Sequence, residues 1–198
     1  MNYLDISLFN FINDFSGKWW PLDWLGIFLA NYLGYFLVLA IIILLISAKG
    51  GPASGGKIKD QKQRIYFFSL AILSVILARG IITEIIRFFY YQPRPFLVLE
   101  IQPLIAHAPT GSFPSGHATA FFALALAVFY FSAGGGSAFG GNRKLSCWIF
   151  ASSLFMGLAR IFTGVHWPSD ILAGALIGLG SAFLIKKILL KFKSPISL

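Results

Sequence analysis

The sequence predicts an all-α, polytopic transmembrane helix bundle, and three observations carry that prediction. Of its 198 residues 57% are hydrophobic and only 12% charged, about half the ~25% charge of a soluble domain. Apolar runs near the ~20 residues needed to cross a bilayer core of about 30 Å recur along the chain. The sixteen Lys and Arg outnumber seven Asp and Glu for a net charge of +9, yet they gather in alternate loops. An ordinary soluble enzyme, a disordered chain and a disulfide scaffold are excluded. The length fits one integral-membrane domain, residues 1–198.

Each element follows from its residues. Tyr3 to Phe15 (YLDISLFNFINDF) is apolar, interrupted by Asp5 and Asp14, and too short to cross. Within an N-terminal segment 1–20 it reads as an amphipathic helix lying in the interface, with a sixth, imperfect span as the alternative. No basic stretch precedes it, so a cleaved signal peptide is not expected. Leu22 to Ser47 is the first of five spans, with only Asp23 near its start, and Ile65 to Ile86 is the second, carrying Arg79 and Glu84. His117 to Ser132 is a shorter third, rich in Ala and Phe; Leu145 to Phe162 and Ile171 to Leu190 complete the set.

The charge follows the spans. Lys49, Lys57, Lys59, Lys62 and Arg64 lie between the first two spans, Arg143 and Lys144 between the third and fourth, and Lys186, Lys187, Lys191 and Lys193 close the chain. These eleven of the sixteen basic residues fall on one side, which the positive-inside rule makes cytoplasmic together with the C-terminus. Anionic membrane lipids are their expected contact, and nucleic acid is not. The Gly- and Ser-rich connectors, Ala48 to Lys57 and Ala133 to Lys144, read as flexible and without chemistry. Cys147, the single cysteine, is expected to be a buried structural thiol.

The opposite ends of the spans carry polar residues of another kind: Arg87 with Arg94-Pro95, Pro114-Ser115-Gly116-His117, and Arg160 with His166 and Asp170. Ionisable residues at membrane edges are functional candidates by default. Three guanidiniums in one pocket repel one another unless a multiply charged anion lies between them, and the guanidinium fork suits phosphate oxygens. Ser115 stands where a helix N-cap belongs, and free N–H groups of that helix start point at an anion. Gly116 lets the anion approach the backbone. Trp167-Pro168 puts a helix boundary between His166 and Asp170, so the Asp170 carboxylate can accept a hydrogen bond from the His166 ring and raise its nucleophilicity. His117 is then available as a general acid. Singly, each cluster has an ordinary reading: a turn and cap, an interface anchor or a Glu84–Arg87 pair, a structural His–Asp bond. Three such clusters on one side, in this order, favour chemistry.

In that order the motifs resemble those of the type-2 phosphatidic acid phosphatase family, which is related to vanadium haloperoxidases and bacterial non-specific acid phosphatases. The family pattern of Lys-x6-Arg-Pro, Pro-Ser-Gly-His and Ser-Arg-x5-His-x3-Asp stands here as Arg87-x6-Arg94-Pro95, Pro114 to His117, and Ala159-Arg160-x5-His166-x3-Asp170. Arg87 replaces the usual Lys, widening the cation into a fork, and Ala159 replaces a Ser that would add a supporting hydrogen bond. Region 87–170 would then be the catalytic part of a phosphatase/haloperoxidase-like helical core.

The resemblance implies a two-step phosphatase without metal or other cofactor. His166 would attack phosphorus with Asp170 orienting its ring, and His117 would protonate the leaving oxygen. Arg87, Arg94, Ser115, Gly116 and Arg160 would hold the phosphate. The implied substrate is a lipid phosphate met at the outer face of the cytoplasmic membrane. Similarity to bacterial undecaprenyl-diphosphate phosphatases, with the compact size of the chain, favours a polyprenyl diphosphate over phosphatidylglycerophosphate, phosphatidic acid or lipid A. A non-catalytic anion- or lipid-binding membrane protein is the alternative of another class. Phe88, Phe89, Tyr90, Tyr91 and Phe96 are expected to flank the pocket, and Phe96 to Phe113 to cover it. His107 reads as a surface loop residue there. Arg79, two helical turns deeper than Arg87, has an interhelical pair or a deep anion contact open to it.

Overall fold

The computed structural model describes residues 3–47, 57–133 and 143–192, and all regular structure within them is helical. In order come α1 (Tyr3–Asn13), α2 (Trp20–Ile27), a π-helical segment (Phe28–Tyr32), α3 (Leu33–Ser47), α4 (Lys57–Val75), a second π-helical segment (Ile76–Ile82), α5 (Thr83–Phe89), the short α6 (Pro95–Val98), α7 (Gly116–Ala133), α8 (Arg143–Phe162) and α9 (Pro168–Phe192). The caps at both π segments keep helical dihedrals, so α2–α3 and α4–α5 are two unbroken rods. Each rod contains one π turn.

Among the described residues four helices are long and apolar enough to cross a membrane: Trp20–Leu44, Gln61–Phe89, Lys144–Phe162 and Pro168–Lys191. The expected third span is the exception, since Gly116–Ser132 is apolar but shorter. Its place explains its composition. α7 is the hub of the bundle, packed on α4, α8 and most extensively on α9, so Ala118, Ala123, Ala125, Ala127 and Val128 are all buried. The α9 contact is close because α9 presents glycine. A Cβ at Gly174 would lie 2.8 Å from the Ser115 carbonyl oxygen, and one at Gly178 would lie 2.5 Å from that of Thr119. Small residues four apart are how apolar helices bring their backbones together where lipid offers no hydrophobic drive.

α1 has 11 residues, about 16 Å at 1.5 Å per residue, which is half a crossing. It is fastened across one end of the bundle. Asn13 Nδ2 donates to the Phe162 carbonyl at 2.8 Å, and the buried Phe9 packs on Trp167 with ring centroids 5.2 Å apart. Tyr3, Phe11, Phe15, Trp19, Trp20 and Trp24 stay exposed around it, as amphipathic rings do at a headgroup boundary.

The opposite end carries Lys186, Lys187 and Lys191, in the last turns of α9. Lys186 Nζ sits 3.7 Å above the Tyr130 ring there. Most of both glycine-rich connectors, together with Lys49 and Lys193, lies outside the described residues. Cys147 corrects the sequence reading, because it is exposed rather than buried. It shares the outward side of α8 with Trp148 and Phe155, and a thiol facing lipid is as well accommodated as one in the core.

Candidate active site

The end of the bundle under α1 gathers the polar residues of five elements. Arg87 closes α5, Arg94 precedes α6, Ser115 to His117 open α7, and Arg160 lies in the last turn of α8. His166 occupies the tight connection from α8 to α9, and Asp170 the first turn of α9. That connection turns on Gly164, whose φ of 84° is a left-handed conformation only glycine adopts without cost.

The start of α9 fixes the His–Asp pair. Trp167 precedes the first helical residue, and its backbone N–H donates to Asp170 Oδ2 at 2.8 Å, so the carboxylate satisfies an amide the helix leaves without a partner. The same oxygen accepts from His166 Nδ1 at 3.1 Å. Gln92 Nε2 and Ser112 Oγ each approach the other oxygen, Oδ1, at 3.3 Å. The backbone N–H of Ser115 donates to the Asp170 carbonyl at 3.0 Å, which ties the start of α7 to the start of α9. Asp170 is wholly buried and His166 2% exposed. Burial first, and then the guanidiniums of Arg160 and Arg94, hold the His166 imidazole well below its ordinary range. The ring is therefore neutral, donates through Nδ1, and turns the Nε2 lone pair toward Arg94 Nη1 3.4 Å away.

The arginines differ in how they are held. Arg94 donates from Nε to Thr110 O at 3.1 Å, from Nη1 to Val165 O at 2.8 Å and from Nη2 to Gly111 O at 3.2 Å. Burial and then the Arg87 charge push its pKa down to about 10, and it stays a cation. Arg87 Nη2 donates to Pro114 O at 3.0 Å, which leaves the other side of its planar fork for an anion. Arg160 Nη1 has only long contacts, to Ala30 O at 3.4 Å and Asn31 Oδ1 at 3.5 Å. The Nε atoms of Arg87 and Arg160 are buried without a partner among the described residues. Each such orphan donor costs about 1–3 kcal/mol, a cost that an entering anion would remove.

These groups surround a cavity of about 460 Å³, lined by Arg79, Arg87, Arg94, His107, Thr110, Gly116, His117, Arg160 and His166, with Ala120 and Phe121 as its apolar wall. Six of the eight expected site residues thus face one space. The other two stand behind it: Asp170 holds the ring, and Ser115 caps α7, its Oγ 3.5 Å from the Ala118 amide. Ala159, where the sequence pattern would carry Ser, is packed with Ala30, Ile105 and Val165.

The expected aromatic flank is not part of this wall. Phe88 and Phe89 point outward at 82% and 80% exposure, Tyr90 and Tyr91 line a separate cavity beside Asp5 and Ser169, and Phe96 packs on the cluster around Ala159. At a helix end in a membrane, rings gain more from the headgroup boundary than from a charged pocket.

Three contributors were not among the expected site residues. His107 is no free surface residue, since its ring lies 6.3 Å from that of His166; burial and then Arg94 lower its pKa. Arg79 lies against the start of α7, where a Cβ at Gly116 would come within 2.5 Å of its Nε. Asn31 touches Arg160 from the first π segment. Arg79 and Asn31 carried the one signal available, a polar side chain inside an apolar span. The two π segments thus present Asn31 and Arg79 to the site, as such turns often do.

Residues 68–194 match the model of the PAP2 superfamily. The chain belongs to the PAP2 superfamily. It is 30% identical over 92% of its length, and 79% of the relative's, to a Bacillus licheniformis protein named bacitracin transport permease protein BcrC. It is 28% identical to undecaprenyl-diphosphatase BcrC of Bacillus subtilis, over 93% of this chain and 82% of that one. The crystal structure of Aquifex aeolicus LpxE superposes with a TM-score of 0.70 at 26% identity, covering 94% of this chain and 96% of the other. This PAP2 protein is a membrane lipid phosphatase.

Proposed function

We propose that the protein removes the terminal phosphate from a polyprenyl diphosphate, undecaprenyl diphosphate above all, through a phosphohistidine at His166. The observation that carries this reading is the neutral, buried His166 ring, anchored by Asp170 at 3.1 Å and facing a cavity ringed by guanidiniums with unpaired donors. Phosphoryl transfer demands positioning and charge stabilisation more than covalent help from the protein.

The steps follow from the residues. Arg87, Arg94 and Arg160, with the amide of Gly116 at the start of α7, hold the oxygens of the terminal phosphate. His166 Nε2 attacks phosphorus, the bond to the bridging oxygen breaks, and the lipid monophosphate departs with a proton from His117. Water, giving its proton to His117, then attacks the phosphohistidine; inorganic phosphate leaves and His166 is restored. Asp170 stabilises the imidazolium character of the ring throughout. Both Asp170 oxygens already face donors, and among the described residues no group of three or more His, Cys, Asp or Glu could hold a metal ion. Arginine charge serves in this reading where other phosphoryl-transfer enzymes use Mg²⁺.

The relative named undecaprenyl-diphosphatase, matched over 93% of this chain, supports the choice of substrate. The gathering of basic residues at the end away from the site supports an active site on the outer face of the cytoplasmic membrane with a cytoplasmic C-terminus. The test is phosphate release by the purified full chain in chelator, with quenched samples probed for acid-labile phosphate on protein. Release from undecaprenyl diphosphate, with a phosphoprotein absent in His166→Ala, is the expected result. Activity restored only by added Mg²⁺, or turnover without phosphoprotein in rapid-quench samples, would overturn the mechanism.

A further inference from the structure

The cavity is larger than its terminal phosphate requires. Its lining runs on from His166, Arg94 and Arg160 to Arg79, Ala120 and Phe121, beyond the groups that would hold one phosphate. His166 stands at its outer end, in the α8–α9 connection. Its inner wall is made by Ala120 and Phe121, a turn into α7, and by Arg79.

Arg79 owes its position to the π segment. In an α-helix residues five apart diverge by about 140°, from 3.6 residues per turn. Across Ile76–Ile82 the bonding runs i to i+5, and the Thr83 N–H reaches the Ala78 carbonyl, so residues five apart share a face. Arg79 accordingly forms an ion pair with Glu84, and Glu84 Oε1 also lies 3.8 Å from Arg87 Nη1. One carboxylate therefore bridges two guanidiniums on the wall of the cavity. Glu84 lies about 5 Å deeper along the helix than Arg87, three residues at 1.5 Å each, and Arg79, eight residues before Arg87, starts deeper still.

A lipid diphosphate entering from the bilayer has its reacting phosphate outermost and its lipid-proximal phosphate nearer the membrane interior. The arginine column has the same polarity, with Arg94 and Arg160 beside His166 and Arg79 below Arg87. Placing a guanidinium within a span is costly, and Glu84 holds it there when no anion is bound. We propose that Arg79 binds the lipid-proximal phosphate of a diphosphate substrate and thereby makes the site prefer diphosphates to monophosphates. This rests on the reading of the site as a lipid-phosphate hydrolase. Glu84 yields Arg79 to the substrate and keeps its contact with Arg87.

The experiment compares kcat/KM of the purified full chain on undecaprenyl diphosphate and on phosphatidic acid, for wild type, Arg79→Gln and Arg79→Lys. Arg79→Gln is expected to lower the diphosphate value about 10- to 100-fold, mostly through KM, the size of one lost charge-assisted contact. The phosphatidic acid value should change by less than about threefold, and Arg79→Lys should recover most of the diphosphate activity. An equal fall on both lipids, or no fall on either, overturns the assignment while the phosphatase reading stands. Wild type inactive on both lipids overturns that reading and this inference with it.

Discussion

The two walls of the active site are built on opposite plans. On the α8–α9 side, His166, Asp170 and Arg160 are almost entirely buried, at 2%, 0% and 3% exposure, and the His–Asp pair has every oxygen facing a donor. On the α5 side, the side chains of Arg79, Glu84 and Arg87 are 40%, 54% and 23% exposed and hold mainly one another. The His–Asp pair is fixed before substrate arrives; on the proposed reading the other wall exchanges an internal ion pair for a ligand. A nucleophile has to be held within tenths of an ångström of its line of attack, whereas a headgroup site gains from side chains that can follow the anion. In the proposed mechanism the rigid wall would do the chemistry and the pliable wall the recognition.

The sharpest break of that comparison is His166→Ala. Loss of the nucleophile should lower turnover by about 10⁴-fold or more, with the purified variant still monodisperse; a loss under tenfold would remove the ring from the mechanism. Asp170→Asn comes next, at about 10³- to 10⁴-fold, because the amide can present its N–H where a carboxylate accepted the Nδ1 proton and so inverts the tautomer. If kcat is unchanged, the buried carboxylate serves the start of α9 rather than the reaction.

Both residues were legible because their spacing is local. Four residues, a Trp-Pro boundary and a helix start bring His166 and Asp170 together whatever the rest of the chain does. The hydropathy of the spans was legible for a similar reason, since bilayer thickness sets their length. Arg79 was not legible: a π turn is invisible in an apolar periodicity, and without it Glu84 and Arg79 point apart. His107 was missed because Phe96 to Phe113 has no period; only the folded strap, with Arg94 donating to the Thr110 and Gly111 carbonyls, brings its ring toward His166. The aromatic flank failed because adjacency in sequence to Arg87 does not decide which way a ring turns at a helix end.

The rigid wall also predicts a pH profile. Burial and the Arg160 and Arg94 charges lower the His166 pKa, so kcat/KM should not fall as pH drops through about 6.5, the ordinary imidazole value, and should decline only in more acid solution. Arg160→Gln removes one of those charges and the buried Nε: turnover should fall about 10²-fold and the acid limb move up toward the ordinary value. An acid limb that stays in place would show that the Arg160 charge does not set the ring's protonation. The unfolded chain binds a proton at His166 that the folded chain refuses, so stability declines below the same pH; circular dichroism at each pH separates unfolding from titration. On the pliable wall, Arg87→Lys should cost less than about tenfold in kcat/KM. It keeps the cation and loses the 3.0 Å hold on Pro114 O; a loss as large as that of Arg160→Gln would place Arg87 on the rigid side.

The smallest expected effect tests how far the rigid wall extends. Asp5 of α1 accepts the Ser169 N–H at 2.9 Å and the Ser169 hydroxyl at 2.5 Å. A residue 164 positions away thus supplies a side-chain cap to the second residue of α9, one place before Asp170. Removing a cap costs about 1 kcal/mol, so Asp5→Ala should lower thermal stability by a few degrees. Its effect on kcat should stay below tenfold, because Asp170 takes its position from the Trp167 amide and the His166 ring, both within its own helix start. Melting curves and kcat measured on one preparation separate the two effects. A fall in kcat comparable to that of Asp170→Asn, with little loss of stability, would make α1 part of the positioning of the His–Asp pair, and the rigid wall would then begin at the fifth residue of the chain.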